Sequence, residues 1–581
     1  MKKIALVTFS VLLFCGQLFA EVDDILPVPE EFVKASQIED DGTHLEAPIW
    51  HEADASFTGT FAGYKPEMQY EIIVYVNNII TGGQEECKTS VRDDGTFELA
   101  VPLIVSTQVL FRVSYEGGNS SLLNDYVLLS PAKETRFYCD LSAYFRHRTA
   151  QKHDETGNFK EVYFAGANAE INNLSFDLKY LEYARTIYEV TTDTAVVNKM
   201  TLDEYKNYIL KVKQQCIDRF LLLNNSKALT VKAKEFFTMG LDYQAARELN
   251  FATNNWEPDS AYYDFFADLP LNNPASLYHQ SFGSFVNSCQ LVRSPMPDLT
   301  IAMAVDMLIA SGKIAPEDVK SAQYLQQAIA DIMKKKREVN ELDRQAEQVI
   351  FTKYKETINS IVSDYRQALQ ARMVEILGEM VYSLMGCQVF SRQMVEDYTP
   401  LSEEAFAWLN RLEDPFFAQY MEAQNSKVLA KIEENKSKHS YHANDVSGKE
   451  KEELFEAVIG KEKGRVVLVD FWATWCAPCR MANKMFLPVK NTIDPEKVAF
   501  VYLTDESSPF ETWQNMIPDL SGEHYRLTRD QYLYVMERLN VTVSSIPTYL
   551  ILDKNGEQVF HHVAFPGVDV MMSKINEAMV R

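Results

Sequence analysis

The 581 residues carry 57 Lys and Arg against 82 Asp and Glu, a formal net charge of −25. So acidic a chain repels phosphate backbones, which excludes nucleic acid as an expected partner. The length exceeds what one hydrophobic core serves, and 46% apolar with 12% aromatic residues supplies material for several cores.

The chain opens with Lys2 and Lys3, an apolar run from Ile4 to Phe14, and the small Ala20 ahead of Glu21, Val22, Asp23 and Asp24. A basic start, a short apolar core and a small-residue exit are the layout of a secretory signal peptide. Residues 1–20 are therefore expected to be removed and the remainder exported to the periplasm or cell envelope. The run is shorter than the ~20 residues that span a bilayer. Cys15, behind Leu12, Leu13 and Phe14, leaves a lipoprotein anchor open, though the bulky Phe14 disfavours it. No later stretch offers ~18 uninterrupted apolar residues, so the exported chain is expected to be soluble.

Residues 21–55, with Pro27, Pro29 and Pro48, are acidic and irregular and are expected to form a leader or linker. Residues 56–145 then carry strand signals. Glu71 to Val76 is β-branched and aromatic, and Val109 to Tyr115 partly alternates. Asp125 to Leu129 and Thr135 to Leu141 add two runs. Asp94-Gly95 is a hairpin turn signal between the runs 88–92 and 96–101. Strands so short and so spaced predict an antiparallel β-sandwich.

From 160 to 434 the pattern turns helical. Ala346, Ile350, Tyr354, Ile358, Ile361, Tyr365, Leu369, Met373, Ile376 and Met380 recur at spacings of three or four, one face of a long helix over 340–387. This stripe is expected to be the core helix of an all-α region, with a partner-binding coiled coil as the alternative. Leu202 to Leu223 and Glu403 to Glu433 read as further helices. The polar segment 435–447 reads as a hinge.

The chemistry lies beyond it. Val466 to Trp472 is too apolar for a half-exposed strand and belongs inside a sheet covered on both faces. It leads through Ala473, Thr474 and Trp475 into Cys476-Ala477-Pro478-Cys479 and a helix to about Val489. A cysteine where a helix begins meets unpaired backbone N–H groups and the positive end of the dipole. Both favour thiolate, so Cys476 is expected to be the nucleophile. Cys479 shares its helical face within disulfide reach, one turn deeper, and is expected to resolve the mixed disulfide. Pro478 suits the first turn, where no intrahelical hydrogen bond is lost. A zinc site would need a second Cys/His pair. Cys87, Cys139, Cys216, Cys289 and Cys387 are scattered, and His561 and His562 are adjacent on an expected strand and so face opposite ways. No metal and no cofactor is expected. A purely structural disulfide is disfavoured by the strand-CxxC-helix order and the flanking tryptophans.

The segment from Val469 to Cys479 resembles the active-site segment of thioredoxins, and especially of the TlpA/ResA-like exported disulfide reductases. Ser545-Ile546-Pro547-Thr548, Asp553 to Gly556 and Gly567 agree with later elements of that family. The resemblance covers about residues 445–581 and implies an α/β thioredoxin fold for 448–581. It implies that the Ile546–Pro547 bond is cis, with Trp475, Ala477, Pro478, Ile546 and Pro547 lining a groove for an extended substrate. It places Asp470 below Cys479 as a buried carboxylate that accepts or relays a proton. The expected neighbouring strand, 498–505, lacks the lysine that many thioredoxins set beside this carboxylate. The stretch 507–541, with Trp513 and Tyr525, corresponds to an insertion of TlpA-like proteins. Ala477-Pro478 lacks the histidine usual in oxidases and isomerases of this fold. Potentials in the family run from ~−270 mV for thioredoxin to ~−120 mV for DsbA, and a reductant near the thioredoxin end is expected. The whole chain then reads as a thiol-disulfide oxidoreductase, with protein disulfides as substrates and a membrane partner as electron donor. Three alternatives remain open: an isomerase or oxidase on the same site, an envelope binding or assembly scaffold with an accessory redox domain, and a peroxidase.

Overall fold

The computed structural model describes residues 27–115, 121–149, 161–177, 180–192, 197–223, 229–252, 260–292, 300–333, 340–541 and 545–581. The expected signal segment 1–20, including Cys15 and Ala20, lies outside them. The chain divides into two compact units, Met1–Gly386 and Cys387–Arg581.

The first unit begins with a helix, Glu30–Ser36, inside the segment 21–55 expected to be irregular; its Phe32 is buried against Tyr138 and Ala165, contacts that only the folded sheet supplies. Its strands are β1 (Ala53–Ala62), β2 (Tyr70–Asn77), β3 (Gln84–Ser90), β4 (Thr96–Leu103), β5 (Thr107–Tyr115), β6 (Ser121–Leu129), β7 (Glu134–Asp140) and β8 (Val162–Gly166). They form two four-stranded sheets, β3-β2-β5-β6 and β4-β1-β7-β8. The first is antiparallel throughout; in the second, β1 and β7 run parallel. Alternation along β4 sends Phe97, Leu99, Val101 and Leu103 inward. They meet Phe57, Phe61, Phe111 and Phe137 in one core. Phe137 is fully buried, with ring centroids 5.3 Å from Phe61 and Phe111.

Asp94-Gly95 does not make the expected hairpin. Gly95 turns the chain at φ 80°, but β3 and β4 then enter different sheets. The turn chemistry is local, whereas the sheet each strand joins depends on which face its apolar residues must cover. The strand β8, in sequence beyond the expected β region, pairs with β7 and extends the second sheet.

The helical part includes Leu202–Leu223, as the sequence predicts. The stripe over 340–387 does not form one helix. It is cut into Glu341–Lys353, Lys355–Leu377 and Glu379–Asp397 by Tyr354 and by Gly378, whose φ of 77° no α-helix continues through. The stripe continues across the first break, where Ala346, Ile350, Tyr354, Ile358 and Ile361 pack in one core with Val305 and Leu308, whereas at Gly378 the two helices bend by 120°. Likewise the expected helix over 403–433 is two, Glu403–Leu409 and Pro415–Lys436. Among the described residues no single helix is long and apolar enough to cross a membrane.

The second unit holds a six-stranded sheet: β9 (Tyr441–Asn444), β10 (Val466–Phe471), β11 (Val498–Asp505), β12 (Gly522–Leu527), β13 (Thr548–Leu552) and β14 (Gln558–Val563), in the order β14-β13-β10-β11-β12-β9. β13 and β14 run antiparallel to their neighbours, and the other pairs are parallel. Five helices follow in chain order: α1 (Lys451–Val458), α2 (Ala477–Lys490), α3 (Phe510–Met516), α4 (Arg529–Arg538) and α5 (Val568–Val580). The polar segment expected as a hinge supplies β9 instead. An edge strand buries little, so its composition resembles that of a linker.

Every residue of β10 is buried, which is why it lacks alternation. Val467, Val469 and Phe471 pack on the side of α1 and α4, with Leu454, Tyr532 and Val535. Val466, Leu468 and Trp472 pack on the side of α2 and α5, with Ala482, Phe486 and Ile575. The two-residue period puts Asp470 on the second face, beneath α2.

Candidate active site

The helix α2 starts where β10 ends. Cys476 is its N-cap, with Ala477 and Pro478 in the first two positions. Cys476 and Cys479 are joined as a disulfide, and the Cys479 backbone N–H donates to Cys476 Sγ at 3.2 Å. The sulfur of Cys476 therefore already receives a helix N-terminal donor, the group that would stabilise a thiolate after reduction. Cys476 is 4% exposed and Cys479 wholly buried. The five other cysteines among the described residues are unpaired thiols, and burial raises the pKa of each.

The residues expected to line the groove sit around this disulfide. Ala477 and Pro478 are exposed. Trp475 is 57% exposed, and its indole Nε1 donates to Ser507 Oγ at 3.1 Å. The Ile546–Pro547 bond is cis. Pro547 is buried, and Ile546 packs against the cluster that contains Cys476 and Cys479. Trp475 and Ile546 line a cleft of about 370 Å³ together with Ser507, Arg529 and Tyr532. The last three were not expected from sequence. They arise from the loop after β11 and from α4, and the fold alone brings them to the tryptophan.

Asp470 is buried, and its Oδ1 has no hydrogen-bond partner among the described residues. Burial raises its pKa to about 8, although the Lys490 charge pulls the other way. Its neighbours across the sheet are Tyr502 on β11 and Tyr549 on β13. Tyr549 Oη is likewise buried without a partner. The Lys490 ammonium donates to Tyr502 Oη at 2.6 Å and to the Ser521 carbonyl. His524 stacks on Tyr502 with ring centroids 4.7 Å apart, and Lys490 lies 4.6 Å above the Tyr502 ring. Burial lowers the Lys490 pKa to about 7, against the raising effect of Asp470.

The cation that β11 lacks thus comes from α2. Residues 479, 482, 486 and 490 are the buried ones of that helix. Their spacing of three, four and four was legible, so Lys490 could have been assigned to the Cys479 face. A lysine on an otherwise apolar stripe was the available signal.

Residues 464–558 match the family described as Thioredoxin-like. The C-terminal region is therefore a thioredoxin-like domain, with a thiol-disulfide oxidoreductase fold and a close Cys476/Cys479 pair. The thioredoxin of Malassezia sympodialis is 44% identical over 55 residues, 9% of this chain and 50% of that protein. That of Chlamydia pneumoniae is 28% identical over 112 residues, 19% of this chain and 81% of the relative. The chain thus spans half the length of the first of these relatives. Among solved structures, a thiol:disulfide interchange protein of the thioredoxin family from Chlorobium tepidum is 20% identical, over 21% of this chain and 83% of that one, with a TM-score of 0.19.

Proposed function

We propose that the protein is an exported thiol-disulfide oxidoreductase that reduces protein disulfides through Cys476 and Cys479. The observation that carries this reading is the disulfide at the N-terminus of α2, with Cys476 Sγ accepting a backbone N–H above the buried Asp470. In the reduced protein the Cys476 thiolate attacks one sulfur of a substrate disulfide. A mixed disulfide forms and the first substrate thiol leaves, taking a proton. Asp470 then accepts the Cys479 proton, Cys479 attacks Cys476 Sγ, and the second substrate thiol is released. Two electrons pass to the substrate and the Cys476–Cys479 disulfide is restored. A dithiol donor on the membrane side must re-reduce it. The exposed Trp475, Ala477 and Pro478, with Ile546 and Pro547, receive the extended segment that carries the substrate cysteine. The basic N-terminal segment with its apolar run supports export through a signal peptide.

Covalent trapping tests this. Cys479→Ser removes the resolving thiol and leaves the nucleophile, so reductant-sensitive adducts of the full chain should accumulate in the envelope. Cys476→Ser and the double variant should accumulate none at this site. Adducts at equal levels in the double variant would refute the assignment.

A further inference from the structure

Arg480 directly follows Cys479 and is only 20% exposed. Its backbone N–H donates to the Cys476 carbonyl at 3.1 Å, so it stands one helical turn beyond the nucleophile. Its guanidinium turns to the C-terminal end of the helix Glu379–Asp397. It donates to the Glu396 carbonyl oxygen at 2.8 Å and to Glu396 Oε2 at 2.7 Å, and lies 3.7 Å from Asp397 Oδ1. Glu396 and Asp397 are the last two residues of the helix Glu379–Asp397. The next residue, Tyr398, takes a left-handed conformation at φ 49°. Its hydroxyl donates to Asp519 Oδ2 at 2.6 Å, and its carbonyl accepts from Asn515 Nδ2 at 3.1 Å. Lys438 also pairs with Asp519, at 2.5 Å. Residues 396–398 are thus tied at two places, to the first turn of α2 and to the end of α3 with the segment that follows it.

We propose that Glu396 and Asp397 are positioning residues of the redox centre, which neutralise Arg480 beside the Cys476–Cys479 pair and so hold its reduction potential down. The proposal rests on the reading of Cys476 as the thiolate of the reduced site. Reduction by glutathione consumes two glutathione thiols and yields one glutathione disulfide. Two electrons enter the Cys476–Cys479 bond; one proton goes to Cys479, and the other is released when Cys476 stays ionised. A free cation near Cys476 favours that thiolate and hence the reduced form. A cation paired with two carboxylates favours it less. Among the described residues Arg392 also acts on Asp397, its charge opposing the effect of Glu396.

The test is the equilibrium of the full-length chain with a glutathione redox buffer. In the Glu396→Gln/Asp397→Asn variant the reduced form should be favoured at least threefold over wild type, a rise of ~15 mV. In Arg480→Gln it should be disfavoured, and Arg480→Lys should stay near wild type. Both perturbed variants break the same clamp, so a purely mechanical role would move them in the same direction. Shifts of the same sign, or no shift in either, would overturn the inference. If wild-type Cys476 is not the thiol alkylated first, the reading of the site fails instead, and the two failures are distinguished.

Discussion

Asp470→Asn is the sharpest test of the buried carboxylate. A carboxyl whose folded pKa lies above its unfolded value binds its proton more tightly in the native chain. Stability is then complete below the unfolded pKa and is lost as pH rises toward the folded one. For Asp470 that window runs from the ordinary 3.8 to about 8. Roughly four units at 1.36 kcal/mol each give an upper figure of about 6 kcal/mol for the cost of ionising the group in place. Asparagine cannot ionise and keeps the shape. The variant should therefore gain at least ~2 kcal/mol relative to wild type between pH 5 and pH 9, with most of the gain below pH 8, where the unfolded chain ionises the group and the folded chain does not. The assay is denaturant unfolding of the oxidised full chain at the two pH values, following the transition of the unit that contains Trp472, Trp475 and Trp513. A stability difference that does not change between pH 5 and pH 9 would refute the burial argument. It would also remove the basis for Asp470 as the proton acceptor of Cys479.

The remaining expectations are simpler. In the reduced protein at neutral pH, Cys476 should react with iodoacetamide much faster than Cys479, as peptide mass mapping would show; equal rates would reverse the assigned roles. Lys490→Met should slow resolution of a preformed mixed disulfide at Cys476 and shift the pH profile of that step, because it removes the charge opposing the rise in the Asp470 pKa; an unchanged profile would count against the coupling. Ser507→Ala should release the Trp475 indole and raise the KM for a protein disulfide more than it lowers kcat, measured by insulin reduction. Phe137→Ala should destabilise the N-terminal sandwich by about 3–5 kcal/mol, since the ring is wholly buried among phenylalanines; hydrogen exchange in β5 and β7 would report it.

The redox pair was legible because its chemistry is local. Cys476, Pro478 and Cys479 need only a helix start to acquire their relationship, and a continuous apolar strand ahead of them fixes where that start is. The same holds for helix 202–223, where one amphipathic pattern serves one element. Local signals misled where a second condition decided the outcome. The helical stripe over 340–387 kept its packed face through the break at Tyr354, since a core needs the stripe and not the continuity of the backbone, but Gly378 turned the chain by 120° and ended the single face. Asp94-Gly95 specified a turn but not the sheet that each flanking strand would join.

The sequence by itself therefore determined the strand-rich and helical regions and the disulfide pair, properties of spacing along one element, while the thioredoxin-like fold and the place of Asp470 followed from the family resemblance. Tertiary structure alone decided what stands around them. Lys490 from α2 and Tyr502 from β11 meet beneath the redox pair. Ser507 from the loop after β11 reaches Trp475, and Glu396 and Asp397, more than eighty residues upstream, reach Arg480. These partners lie on different elements, and their contact depends on sheet order and helix packing, which no period in the sequence encodes.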